Sequence, residues 1–253
     1  MTNQNIAKIL DDAAKNAKAV PQMAVANNIT LANAYVIQRQ SIALREQRGE
    51  KITGYKMGFT SKAKMEQMGV HDLIWGILTD AMKIEENETV DLKRWIHPRA
   101  EPEIAFRVSK NIEYPLTLDE LPKYVDAMAP AIEIIDSRYE NFKFSLEDVV
   151  ADNCSSTGYV IGAWQNLHAE IKNLKMDLLI NQEIVESASS AAILENPLQS
   201  VIELSRLASE AGITLKKGQI ILAGAATAAR LIEKNKTIAV RIENLGEINF
   251  KTT

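Results

Sequence analysis

The sequence predicts an α+β fold: a mainly antiparallel, curled sheet or barrel-like roll, with a helical N-terminal part packed against it. Apolar residues recur at helical spacing through most of the first 50 positions. Beyond residue 51 short apolar stretches dominate. These stretches lie too close together and too irregularly spaced for a regular series of parallel strands and crossover helices.

The elements follow in order. In the first helix, residues 3–18, Ile6, Ile9, Leu10 and Ala13 make one apolar face. Thr30 is the predicted N-cap of a second helix, 30–48, with Ala34, Val36, Ile37, Ile42 and Leu44 at apolar positions and Gly49 as its stop. Residues 51–59 read as a strand with two glycines, and Ser61 as the cap of a short helix through Met68 ended by Gly69. Strands are then predicted at 74–78, 101–108, 128–135, 157–162, 174–180, 219–223, 237–243 and 246–251, with helices at 117–126 and 197–211. Asn181-Gln182 and Asn244-Leu245-Gly246 read as hairpin turns. A helical part, 1–50, and a β-rich part, 51–253, are expected to form one continuous unit.

Composition narrows the function. Of 253 residues, 46% are apolar and 25% charged, the balance of a soluble globular protein. A net charge of −4 argues against a nucleic-acid groove or an anionic membrane as partner. No apolar run approaches the roughly 20 residues that span a bilayer. Met1 to Ala19 lacks the apolar centre of a secretory signal, and the single cysteine, Cys154, cannot form an internal disulfide. A cytoplasmic protein is expected.

The chemistry centres on three acids. Glu101 and Glu103 stand two apart in Arg99-Ala100-Glu101-Pro102-Glu103, so a strand aims both carboxylates to one face. Glu133 sits in an apolar run where a lone carboxylate is costly to bury. With no basic partner evident, a hard divalent cation such as Mg²⁺ or Mn²⁺ fits such oxygen ligands. The alternative is a pair of solvated acids on an edge strand marked by Pro102. Lys56, between Gly54 and Gly58, is either an electrostatic stabiliser and proton donor or a surface lysine on an edge strand. Asp152 to Gly158 offers Ser155 and Ser156 to a carboxylate, or is a plain turn. Gly224 to Thr227 reads the same way, with Thr227 as the hydroxyl. Cys154 has no evident base, and His71, His97 and His168 lack metal-ligand spacing. Phosphate-loop, dinucleotide and Gly-x-Ser-x-Gly motifs are absent.

The ordered series GYKMGFTSKAKMEQMGV, HPRAEPEIAF, PAIEIIDSR, VVADNCSSTGYVIG and GQIILAGAATA resembles the fumarylacetoacetate hydrolase superfamily, from about residue 30 onward. It is most similar to the branch that holds hydratases and decarboxylases of 2-oxo and 2-hydroxydienoic acids. The resemblance implies the curled sheet of that superfamily's C-terminal domain. It also implies Glu101, Glu103 and Glu133 as ligands of Mg²⁺, Lys56 as the active-site lysine, and Ser155, Ser156 and Thr227 as contacts of the substrate's carboxylates. Hydratases of the branch carry an acid just before an aromatic–Gly pair; here Ile74 precedes Trp75-Gly76. That departure implies decarboxylation of 2-oxo-3-hexenedioate (4-oxalocrotonate) in meta-cleavage degradation of aromatics. Leu73, Ile74 and Trp75 would then be an apolar wall. Hydration of 2-hydroxypenta-2,4-dienoate, or a scaffold role beside such a hydratase, are the alternatives. The implied partners are a small 2-oxo dicarboxylic acid, the hydratase and further copies of the chain, with no nucleic acid or membrane.

Overall fold

The computed structural model describes residues 1–61, 72–168 and 170–253. Helices form where the sequence supplies both a cap and an apolar face. In α1, Asn3–Lys15, the Thr2 side chain accepts from the Asn5 N–H, while Ile6, Ala7 and Leu10 face inward. A short α2, Ala24–Asn27, leads to α3, Leu31–Gln47, which Thr30 caps through the Asn33 N–H. Gly49, at φ +102°, follows the end of α3.

Among the described residues, thirteen strands make two sheets. The first contains β1 (Ile52–Gly58), β2 (Ile74–Thr79), β4 (Arg99–Val108), β5 (Val125–Ile135), β6 (Ser156–Ile161) and β10 (Ile220–Leu222), in the order β2-β1-β10-β4-β5-β6. Short β7 (Gln165–Asn166) pairs with β5, and β11 (Arg230–Leu231) with β4. The second sheet runs β3 (Thr89–Val90), β13 (Gly246–Thr252), β12 (Thr237–Ile242), β8 (Lys175–Ile180), β9 (Glu183–Ser189). Among the described strand pairs only β1–β10 and β13–β3 are parallel, so the mainly antiparallel expectation holds.

The main core lies between these sheets and the helix Leu198–Glu210. It joins Ile104, Phe106 and Met128 to Leu178, Val240, Phe250, Val201 and Leu204. A second cluster seats α1 and α3, through Ile6, Leu10 and Ile37, on Tyr139, Val150 and Cys154. No helix among the described residues is long and apolar enough to cross a membrane.

The hairpins turn where expected: Asn181 and Gln182 take φ +50° and +70° between β8 and β9, and Asn244 takes +61° between β12 and β13. The helix expected at 117–126 is corrected. Only a 3₁₀ turn, Leu121–Lys123, forms there, and β5 already starts at Val125. Pro122 has no N–H to extend a helix, and Glu120 bonds back to the Thr117 N–H and hydroxyl instead. The helix Leu146–Ala151 was not anticipated, although Ser145 and Asp148 form a capping box at its start. Ser61, the expected cap, is described, but the helix expected after it through Met68, the rest of that motif to Val70, and His71 fall outside the described residues.

Candidate metal centre

β4 and β5 place Glu101 directly opposite Glu133, with Glu103 one pleat further along the same face. Glu101 is 6% exposed, and Glu103 and Glu133 are fully buried. One oxygen from each carboxylate lies within 4.8 Å of the others. The edge-strand alternative fails, because β4 pairs with β5 on one side and with β10 and β11 on the other. Pro102 is tolerated in this interior strand for a local reason. Its carbonyl accepts from the Ala226 N–H, so its nitrogen faces the gap between β10 and β11, where no ladder bond is lost.

Lys56 is likewise interior, on β1 between β2 and β10, and is only 4% exposed. Its Nζ lies 3.0 Å from Glu133 Oε2. That corrects the expectation that the acids lack a basic partner. Gly76 faces Lys56 across β1–β2, and a Cβ there would meet Ser156 Oγ at 2.7 Å and Asn153 O at 2.8 Å. Glycine is what lets the strand, the lysine stem and the serine turn approach so closely.

One ammonium does not balance three buried carboxylates. Burial, then the Glu133 charge, pushes the Glu103 carboxyl well above the usual carboxylate range. Burial also raises Glu133, against the opposing pull of Lys56. Burial disfavours the Lys56 ammonium, but Glu133, Glu101 and Glu103 together outweigh it and keep it protonated above the usual lysine range. Glu103 Oε2 accepts from the Gly224 N–H at 2.7 Å, whereas Glu103 Oε1 and Glu133 Oε1 are buried without a hydrogen-bond partner. Orphaned carboxylate oxygens converging in a buried site fit a divalent cation with oxygen ligands.

A cavity of about 340 Å³ opens beside this floor, and Lys56, Glu101, Ile74 and Ser155 all line it. Ser155 stands on a turn in which Asn153, Cys154 and Ser155 take φ of +51°, +52° and +59°. Left-handed conformations cost about 1–2 kcal/mol per non-glycine residue. The turn is held by side chains: Asn153 bonds both the N–H and the carbonyl of Ile77 at 2.8 Å. Beneath it, Arg138 pairs with Asp152. The Ser155 hydroxyl is buried and unpartnered. Cys154 lines the cavity too, but burial pushes its thiol up to about 12, with no base beside it among the described residues.

Four residues expected in the apolar wall or at the substrate do not line this cavity: Leu73, Trp75, Ser156 and Thr227. Alternation along β2 turns Ile74 and Gly76 toward the acids and Trp75 away, correcting its place in the apolar wall. Trp75 stacks on Tyr35 at 5.0 Å and meets Tyr55 edge-on at 5.9 Å. Ser156 is buried with its hydroxyl unpartnered and lines a different cavity. Thr227 is buried and donates to the Ala228 carbonyl at 3.1 Å. Its turn instead contributes backbone: Gly224 has φ +105°, and a Cβ there would lie 2.2 Å from Thr60 Oγ1. Leu73 is buried in the main core.

Sequence reasoning left Arg99 unassigned and missed Phe142. Arg99 lines the cavity, its guanidinium 4.1 Å from the Phe142 ring centre. The alternation that selects Glu101 and Glu103, carried one step back, selects Arg99. Phe142 ends the 3₁₀ turn Glu140–Phe142 with positive φ and has no comparable signal. His97 packs on Phe142 at 5.2 Å and does not line the cavity.

The fold and this acidic centre agree with a family match over residues 62–252, to the fumarylacetoacetate (FAA) hydrolase C-terminal family. The chain belongs to that family. It is 47% identical over 253 residues to a 4-oxalocrotonate decarboxylase from a Pseudomonas species, covering 100% of this chain and 99% of that one. A solved structure of 4-oxalocrotonate decarboxylase from Pseudomonas putida G7, complexed with magnesium and adipate, superposes with a TM-score of 0.94. That pair is 35% identical, with 99% of this chain and 97% of the other covered. A 2-hydroxyhexa-2,4-dienoate hydratase from Comamonas testosteroni is 32% identical over 230 residues, covering 89% of this chain and 87% of that one.

Proposed function

We propose that the protein decarboxylates 2-oxo-3-hexenedioate to 2-hydroxypenta-2,4-dienoate and CO₂, with Mg²⁺, or Mn²⁺ in its place, held by Glu101, Glu103 and Glu133. The observation that carries this reading is the pairing of a buried acid–lysine floor with an aliphatic wall. Where a hydratase would need an acid to direct water, Ile74 faces the cavity, joined by Ile135, Phe144 and Val149. The nearby acid in sequence, Asp72, is instead exposed and paired with Arg206 at 3.0 Å.

The bound cation supplies a Lewis acid for the substrate's C1 carboxylate and 2-oxo group. The rest falls to the chain. As the C5–C6 bond breaks, its electron pair becomes the C4–C5 double bond, the former C3–C4 pair moves to C2–C3, and charge collects on the C2 oxygen. Lys56, buried with its Nζ 3.0 Å from Glu133 Oε2, stabilises that charge and gives the oxygen its proton. The apolar wall disfavours a carboxylate more than neutral CO₂ and excludes water from the double bond. Ser155 offers its unpartnered hydroxyl to a substrate carboxylate. Ser156 and Thr227 support the two turns that close the site. On this reading the enzyme works in the cytoplasm, in meta-cleavage degradation of aromatics, beside the hydratase that consumes its product.

The test supplies purified protein and Mg²⁺ with 2-oxo-3-hexenedioate and, separately, with 2-hydroxypenta-2,4-dienoate. Stoichiometric CO₂ from the first and no water added to the second is the expected result. Hydration of the dienoate to 4-hydroxy-2-oxopentanoate, with no CO₂ from the dioate, would make it a hydratase.

A further inference from the structure

A second cavity, about 290 Å³, lies at the seam between the N-terminal helices and the sheet and shares no lining residue with the catalytic one. Five basic side chains, Lys15, Arg45, Arg48, Arg94 and Arg138, line it against two acids, Asp11 and Glu50. Arg138 is satisfied: it pairs with Asp152 and donates to Thr157 Oγ1 at 2.7 Å. Arg45 is not. It is 9% exposed, and among the described residues its one ion pair is to Asp11, at 3.5 Å. Both oxygens of Asp11 are already taken by Arg48, at 2.6 and 2.8 Å. Two guanidiniums therefore share one buried carboxylate, and Arg45 makes no side-chain hydrogen bond among the described residues. Burial and then the neighbouring Arg138 charge work against its cation, and Glu50, Asp11 and Asp152 offset them only in part. A buried guanidinium that shares its one ion-paired carboxylate and has no hydrogen-bonded acceptor is costly unless a further anion completes it.

We infer that this seam cavity binds a small dianion through a carboxylate or phosphate group, with Arg45 as its buried anchor and Arg94 and Lys15 at its rim. The guanidinium fork suits either group, and the volume admits a small acid or phosphate but no larger partner. Such a ligand would tie α1 and α3 to Ser156 and Thr157, next to the turn that presents Ser155 to the catalytic cavity. Occupancy would stiffen that turn without touching the acids.

The test measures thermal unfolding and calorimetric binding of the Mg²⁺-loaded protein with inorganic phosphate and, separately, succinate, at ionic strength fixed with sodium chloride. Saturable stabilisation by either, weakened about fivefold or more in Arg94→Ala and Arg45→Gln, is the expected result. The ligand that stabilises identifies the source, phosphate or carboxylate. Neither arginine lines the catalytic cavity, so anion binding there would be left unchanged by both substitutions. Stabilisation matched by chloride, or affinity unchanged in the variants, would overturn the inference; should Arg45→Gln fail to fold, Arg94→Ala decides alone.

Discussion

On the floor beside the candidate cavity, Lys56, Glu101, Glu103 and Glu133 stand on β1, β4 and β5, each strand paired on both sides. On its rim, Ser155 stands on a left-handed three-residue turn, and Phe142 on a 3₁₀ turn where Asn141 and Phe142 both have positive φ. The floor's backbone is satisfied by the ladder, so its cost is electrostatic: acids buried beside one another. The rim's cost is conformational, and it is met by side chains such as Asn153 and the Arg138–Asp152 pair. Substitutions on the floor should therefore remove chemistry while sparing the fold. Rim substitutions should shift stability and substrate affinity together.

The largest effect belongs to Glu103→Gln. Removing a ligand should lower metal-dependent turnover roughly 10³-fold, the scale of several kcal/mol in the barrier. Because its carboxyl is opposed by burial and by Glu133, the metal-free variant should unfold at the same temperature or higher. Calorimetric Mg²⁺ titration and a thermal melt check both halves; full activity would remove Glu103 from the metal site. Lys56→Ala should cost about 10²-fold in kcat with Mg²⁺ affinity little changed. It leaves Glu133 without its ion pair, so the metal-free variant should melt earlier and Mg²⁺ should restore much of the difference.

Asn153→Ala tests the rim. It deletes two buried hydrogen bonds from a turn that already carries left-handed residues, so about 2 kcal/mol of stability should go, read by urea unfolding. KM should rise more than kcat falls, since Ser155 is displaced and the acids are not. Trp75→Phe should have the smallest effect on catalysis. It should cost about 1–2 kcal/mol through its packing on Tyr35 and Tyr55 and leave kcat unchanged. A kcat loss equal to that of Lys56→Ala would return Trp75 to the cavity.

The same contrast explains what the sequence made legible. Alternation in a strand is a local rule, and it aims Glu101 and Glu103 to one face, while Glu133 stands out as a lone acid in an apolar run. Pairing is not local. That Lys56 meets Glu133 depends on β10 lying between β1 and β4, with Leu222 beside both Lys56 and Ala105. Trp75 shows how sharp the rule is, because one step along β2 separates the cavity wall from the core. Asn181-Gln182 announced its hairpin by chemistry, whereas β9 itself, a half-exposed edge strand, carries few apolar residues. Left-handed φ at Cys154 and Phe142 has no sequence signature, and tertiary contacts impose it.

The central claim is that the three floor carboxylates hold one divalent cation on which turnover depends. It is tested most directly by stripping the protein with a chelator and following CO₂ release from 2-oxo-3-hexenedioate as Mg²⁺ is titrated back. The account predicts no release from the stripped protein and full recovery as one cation binds per chain. Release at the full rate in excess chelator would contradict it.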